Sequence, residues 1–140
     1  MGLFDNLRGQ QEIALTPRSA MLLACISMVA ADGAIDDDEI SVIQRIDGRA
    51  DTQDWDKAIK AWRAADGPVN CIELVTPHLN KDQKKFTMAN LVDIAMADGV
   101  LAGSEKDLLE GYFRSFGLDE DFIISLVDVV SIKNDISPFE

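Results

Sequence analysis

One histidine, His78, and two cysteines, Cys25 and Cys71, leave the chain poor in the side chains that most metal and nucleophilic chemistry needs. The cysteines form no C-x-x-C pair and lie in apolar helical stretches, so they read as buried, inert thiols. His78 follows Pro77 with no cysteine or acidic pair beside it. That context supports neither a zinc site nor a triad, and His78 reads as a surface residue. Also missing are a nucleophile elbow, a phosphate-binding loop, an H-E-x-x-H helix and a deaminase signature. The expectation is a protein that is not an enzyme.

Positive charge is scarce as well. Thirteen Lys and Arg face 25 Asp and Glu, for a net charge of −12 and a pI near 4.3. Nucleic-acid binding and anionic-lipid binding both need a basic face, so neither is expected. No apolar run approaches the roughly 18–20 residues of a membrane span. The longest, 20–31, covers 12 residues. Met1-Gly2-Leu3-Phe4-Asp5 is too short and acidic for a secretory signal. Asn6 stands where myristoylation of Gly2 would want Ser or Thr. A reducing cytoplasm is the expected compartment.

What the chain does have is a motif written twice. Ala30-Ala31-Asp32-Gly33-Ala34-Ile35-Asp36-Asp37-Asp38-Glu39 returns as Met96-Ala97-Asp98-Gly99-Val100-Leu101-Ala102-Gly103-Ser104-Glu105, 66 residues later. Each copy reads as an apolar helix, an Ala-Asp-Gly turn and a second amphipathic helix. Gly33 and Gly99 stand where a helix ends most easily at positive φ. Asp36 is a good N-cap, and Glu39 completes a capping box; in the second copy Ser104 with Asp107 takes that role. Asp32 and Asp98 sit at helix carboxyl ends, where a negative charge is disfavoured by roughly 0.3–1 kcal/mol. A compensating partner is expected for each. One alternative is backbone N–H groups of the same turn. The other is a divalent cation held between Asp32, Glu39, Asp98 and Glu105, with Asp36 adding a carboxylate in the first copy. An EF-hand is rejected, because its first and third ligand positions would be Met28 and Ala30, then Ile94 and Met96.

The paired A-D-G-x-[IL]-x-x-x-E units resemble the TerB-like family of bacterial tellurite-resistance proteins, and are similar to the N-terminal region of a membrane-anchored J-domain co-chaperone. The resemblance runs from about Pro17 to Ile132. It implies a compact all-helical domain linked to stress response, whose recurring acidic residues bind metal. Asp32, Glu39, Asp98 and Glu105 match those acidic positions, and Ca²⁺ or Mg²⁺ is the implied ion. Ala102-Gly103 departs from Asp36-Asp37, which tells against two symmetric sites.

The remaining pattern is helical throughout. Thr16-Pro17 opens a helix that is apolar on nearly every face, and is therefore central. An amphipathic helix over 37–48 turns Ile40, Ile43 and Ile46 inward. Thr52 caps a helix over 53–65 whose Trp55, Ile59 and Trp62 form a core stripe. A short helix runs from Pro68 to Pro77, and Asn80 with Gln83 opens a longer one to Asp98. Leu108, Leu109, Tyr112, Phe113 and Phe116 face inward from the helix over 104–116. A last helix follows Asp119 to about Ile132. The fold class is all-α: one compact domain of about seven helices over 16–133, containing two helix hairpins related by a pseudo-two-fold (20–46 and 86–112). The two central helices should pack on each other.

Residues 1–15 form an amphipathic N-terminal segment and 134–140 a tail. Leu3, Phe4 and Leu7 suit docking on the domain, on another protomer, or peripherally on a membrane through residues 3–7. Charge is uneven: residues 57–90 hold six basic and three acidic side chains, whereas 91–140 hold three and eleven. Two functions from different classes follow. One is a metal-binding stress-response module; the other is a pure protein–protein interaction module whose acidic loops only cap helices. Protein partners are expected in both, and the oligomeric state is left open.

Overall fold

A computed structural model describes residues 14–32, 41, 43, 45, 51–97 and 103–140. Six α-helices occur among these residues: α1 (Pro17–Val29), α2 (Thr52–Ala65), α3 (Pro68–Val75), α4 (Lys81–Ala95), α5 (Gly103–Phe116) and α6 (Glu120–Asn134). No strand occurs among them. Ser41, Ile43 and Arg45 are helical too, with Ile43 fully buried between exposed neighbours. The domain is compact and all-α.

The start of α1 is set by Thr16-Pro17. The Ser19 N–H donates to Thr16 Oγ1 at 3.0 Å, and the Thr16 N–H donates to Ser19 Oγ at 2.7 Å. This capping box satisfies two backbone donors that have no partner within the helix. The Thr16 hydroxyl donates in turn to Asp54 Oδ1 at 2.7 Å, tying the entry of α1 to the first turn of α2. Every residue from Ser19 to Met28 is buried. A helix apolar on all sides needs neighbours on all sides. Accordingly α1 is the hub, with α2, α3 and α4 packed around it and α5 touching it. The expected pairing of the two central helices is observed as α1 on α4.

Two buried hydroxyls inside this core are matched to each other, whereas Thr87 Oγ1 is buried with no hydrogen-bond partner among the described residues. Ser27 Oγ donates to the Ala24 carbonyl at 2.6 Å and lies 2.7 Å from the Tyr112 hydroxyl. With the Ser27 proton so engaged, Tyr112 is the donor of the pair. Both residues are fully buried. Burial pushes the Tyr112 phenol well above its ordinary range, while the Ser27 hydrogen bond acts in the opposite direction.

Helix α2 corrects two expectations. Its N-cap is Asp51, whose Oδ1 accepts the Asp54 N–H at 2.9 Å, so Thr52 is the first helical residue. Its buried face is Ala58, Ala61 and Ala65 rather than the Trp55–Ile59–Trp62 stripe. Both tryptophans are half-buried on the flank, and Ile59, further round the helix, is 36% exposed. The small residues face α1 because two backbones approach closely only where side chains are short, and the rings then cover the edge of the seam.

After α2 the chain passes through Asp66, a non-glycine residue at φ 57. Asn70 Nδ2 donates to the carbonyls of Ala65 and Asp66 at 2.7 and 3.0 Å, capping the end of α2. The capping box of Asn80 and Gln83 forms as expected, but α4 stops at Ala95 rather than Asp98. The next helix begins at Gly103, so Ser104 lies inside its first turn and is not an N-cap. Gly111 marks where α5 crosses α3: a Cβ there would stand 2.6 Å from Ile72 Cδ1. Gly117, at φ 66, ends α5. The turns expected for the two helix hairpins, at 33–40 and 98–102, lie outside the described residues.

Helices α4 and α6 run side by side in the same direction. Lys85 Nζ lies 5.6 Å from the centroid of the Phe122 ring near their starts. Near their ends Lys133 Nζ is 3.1 Å from Asp93 Oδ1, and Asn134 Nδ2 donates to the Met96 carbonyl at 3.3 Å. No described helix is long and apolar enough to cross a membrane.

Candidate functional site

Of the five acidic residues expected to ligate metal, Asp36, Glu39 and Asp98 lie outside the described residues. Asp32 is described only as the last residue of the 3₁₀ turn that follows α1. Glu105 is half-buried in the first turn of α5. Among the described residues, no three His, Cys, Asp or Glu side chains come together in a way that would hold a metal ion. This corrects the expected divalent cofactor, Ca²⁺ or Mg²⁺. A hard cation needs several oxygens converging within about 2.6 Å, and four of the described carboxylates are engaged elsewhere. Asp51 caps α2, Asp54 takes the Thr16 hydroxyl, Asp93 pairs with Lys133, and Asp135 accepts the Ser137 N–H at 3.0 Å. The expected membrane-contacting residues 3–7 also lie outside the described part.

The other reactive groups stay as read from sequence. His78 is exposed, and both cysteines are free and buried. Burial pushes the Cys71 thiol up to about 12, far from the thiolate range that nucleophiles need. A colorimetric thiol reagent at neutral pH should therefore label neither cysteine in the folded protein, and both promptly in denaturant. Rapid labelling of native protein at either position would show that the core is open there.

The feature that stands out is α6 and the turn that follows it. Ile123, Ile124, Leu126, Val127, Val129, Val130 and Ile132 place apolar side chains on every side of the helix. Such a helix is normally enclosed. This one rests chiefly on α4, and Val130 is its one buried residue. Val129 and Ile132, at i and i+3 on α6, are exposed, and the exposed strip continues along the chain past the helix end at Asn134 with Ile136 and Phe139. Ile132 is 76% and Phe139 91% exposed. Asp128, Asp135 and Glu140 edge the strip and are exposed. Hydrogen bonds from Ser137, side chain first and backbone second, hold Asp135 below the usual carboxylate range. Reading residues 134–140 as a plain tail overlooked this strip. The signal was present in a final helix apolar all round with no further apolar helix to cover it.

A second surface lies at the opposite end of the α4–α6 pair. Lys81, Lys84 and Lys85 of α4 meet Phe116, Leu118 and Phe122 around a cavity of about 390 Å³. Asp119 is its one acidic wall residue. None of the three lysines is ion-paired among the described residues, and Lys85 lies over the Phe122 ring. Three of the six basic residues of the segment 57–90 line this pocket.

Compared with known proteins, the chain matches no protein-family model, no curated protein and no solved structure.

Proposed function

We propose that this chain is a non-catalytic helical interaction module that engages a protein partner through the exposed strip Val129–Ile132–Ile136–Phe139. The observation that carries the reading is the degree of exposure of these four large apolar side chains, two on the last turns of α6 and two in the segment that follows it. Contiguous exposed apolar surface with a polar rim is the ordinary mark of a docking site. Its acidic edge defines the partner's chemistry: an apolar groove rimmed by Lys or Arg. Two copies meeting strip to strip would bring Asp128, Asp135 and Glu140 against their own counterparts, which disfavours a symmetric contact. The resemblance of the paired Ala-Asp-Gly units to TerB-like proteins extends the reading to a cytoplasmic bacterial stress-response role. Within it the paired units would make two related helix hairpins.

The test starts with a photo-crosslinking amino acid at position 132 in cells, followed by purification of the protein it captures. Titration of that purified partner should give binding that Ile132→Asp weakens at least about tenfold, or 1.4 kcal/mol. Val69→Asp, at an equally exposed apolar residue on α3 far from the strip in sequence, should bind like wild type. Equal binding by the Ile132→Asp variant would refute the docking role.

A further inference from the structure

We infer that the surface which receives the strip is the lysine pocket of a second copy of the same chain, so that copies join head to tail. The inference rests on the strip being a docking surface and names its occupant. An apolar groove with a basic rim is the chemistry the strip requires, and Lys81, Lys84, Lys85, Phe116, Leu118 and Phe122 supply it.

The lysines are costly where they stand. All three lie in the first five residues of α4, at the positive end of the helix dipole, where a positive charge is disfavoured. A carboxylate brought in from outside relieves that repulsion. Phe116, Leu118 and Phe122 offer apolar wall to an incoming side chain, and Phe139 is the most exposed large apolar residue of the strip. Asp135 and Glu140, on either side of Phe139, carry the matching negative charge.

The geometry directs the contact to another molecule. Because α4 and α6 are parallel, the pocket sits at their starts and the strip at their ends. Along α6, Val129 and Ile132 stand about 10 and 15 Å beyond Phe122 of the pocket, and Phe139 follows the far end of the helix. The 3₁₀ turn Ser137–Phe139 advances only about 2 Å per residue, so Phe139 falls short of its own pocket. Surfaces at opposite ends of one body form a heterologous contact, which builds open chains rather than closed dimers.

Sedimentation velocity over a concentration series tests this, with complementation as the deciding readout. Wild-type protein should form dimers and larger species as concentration rises. Lys81→Glu with Lys84→Glu should raise the dissociation constant of self-association at least about tenfold. Those glutamates suit the first turn of a helix, and circular dichroism should show unchanged helicity. Ile132→Asp should do the same from the other side. An equimolar mixture of the two variants should restore a one-to-one dimer that grows no further, since each contributes its one intact surface. A wild type that stays monomeric at every concentration would overturn the inference. So would variants that fail to complement in the mixture. If Ile132→Asp still abolishes binding of a different purified partner, the docking role stands and only the identity of the occupant falls.

Discussion

Replacing Tyr112 by alanine should lower the stability of the fold by about 3–5 kcal/mol, a large share of the 5–15 kcal/mol available to a domain of this kind. Tyr112 is the largest fully buried side chain, and its ring lies 5.5 Å from that of Phe116 at an interplanar angle of 59°. Removing it opens a cavity beside the central helix α1. Subtler substitutions separate packing from hydrogen bonding. Tyr112→Phe leaves Ser27 bonded to the Ala24 carbonyl and should cost only about 1 kcal/mol. Ser27→Ala strands the phenol hydroxyl in the core and should cost more, about 1–3 kcal/mol. The double variant Ser27→Ala with Tyr112→Phe should be more stable than Ser27→Ala alone, because neither position then leaves a buried hydroxyl without a partner. Urea unfolding followed by circular dichroism reads all four. Additive costs in the double variant would show that the two hydroxyls do not interact.

The same residues predict a pH dependence. Burial raises Cys71 from 9.0 to about 12 and raises Tyr112 well above the phenol range. Both stay protonated in the folded chain where the unfolded chain releases its protons. The unfolded state then holds fewer protons, so stability falls as pH climbs. For Cys71 the contribution is complete below 9.0 and is lost between there and about 12. Urea midpoints that stay level across this window would contradict the burial of both groups.

Ala58→Leu should destabilise by about 1–3 kcal/mol, although it puts a larger apolar residue on an apolar face. Ala58 is fully buried, on a helix that packs against α1. Its methyl group sets how closely α2 approaches the hub, and three further carbons have nowhere to go without moving a helix. Ile59 is the contrast. It is part of the apolar stripe legible in the sequence, yet it lies at the edge, and Ile59→Ala should cost less than about 1 kcal/mol. Thermal melts of the two variants decide between the alanine seam and the tryptophan stripe. A larger loss from Ile59→Ala than from Ala58→Leu would restore the stripe as the core face.

The strip and the lysine pocket show where local information stops. Val129, Ile132 and Ile136 can be read as apolar residues at helical spacing, which ordinarily means core. Whether such a face is covered depends on how many neighbours the helix has, and α6 has essentially one. Lys81, Lys84 and Lys85 are a basic cluster in any reading. Their meeting with Phe122 depends on α6 running parallel to α4, a fact of topology with no trace in either helix alone.

The sequence by itself determined the described helices and the starts of α1 and α4, because capping and periodicity are local. Thr16-Pro17 and Asn80 with Gln83 act on backbone groups within one turn. It also determined that α1 would be central, since ten consecutive buried residues can be satisfied in no other place. Only the tertiary structure decided which face of α2 is inward, that no three of the described carboxylates gather around an ion, and that α6 keeps its apolar strip in solvent. Those outcomes depend on distances between residues far apart in the chain, and packing between helices sets them.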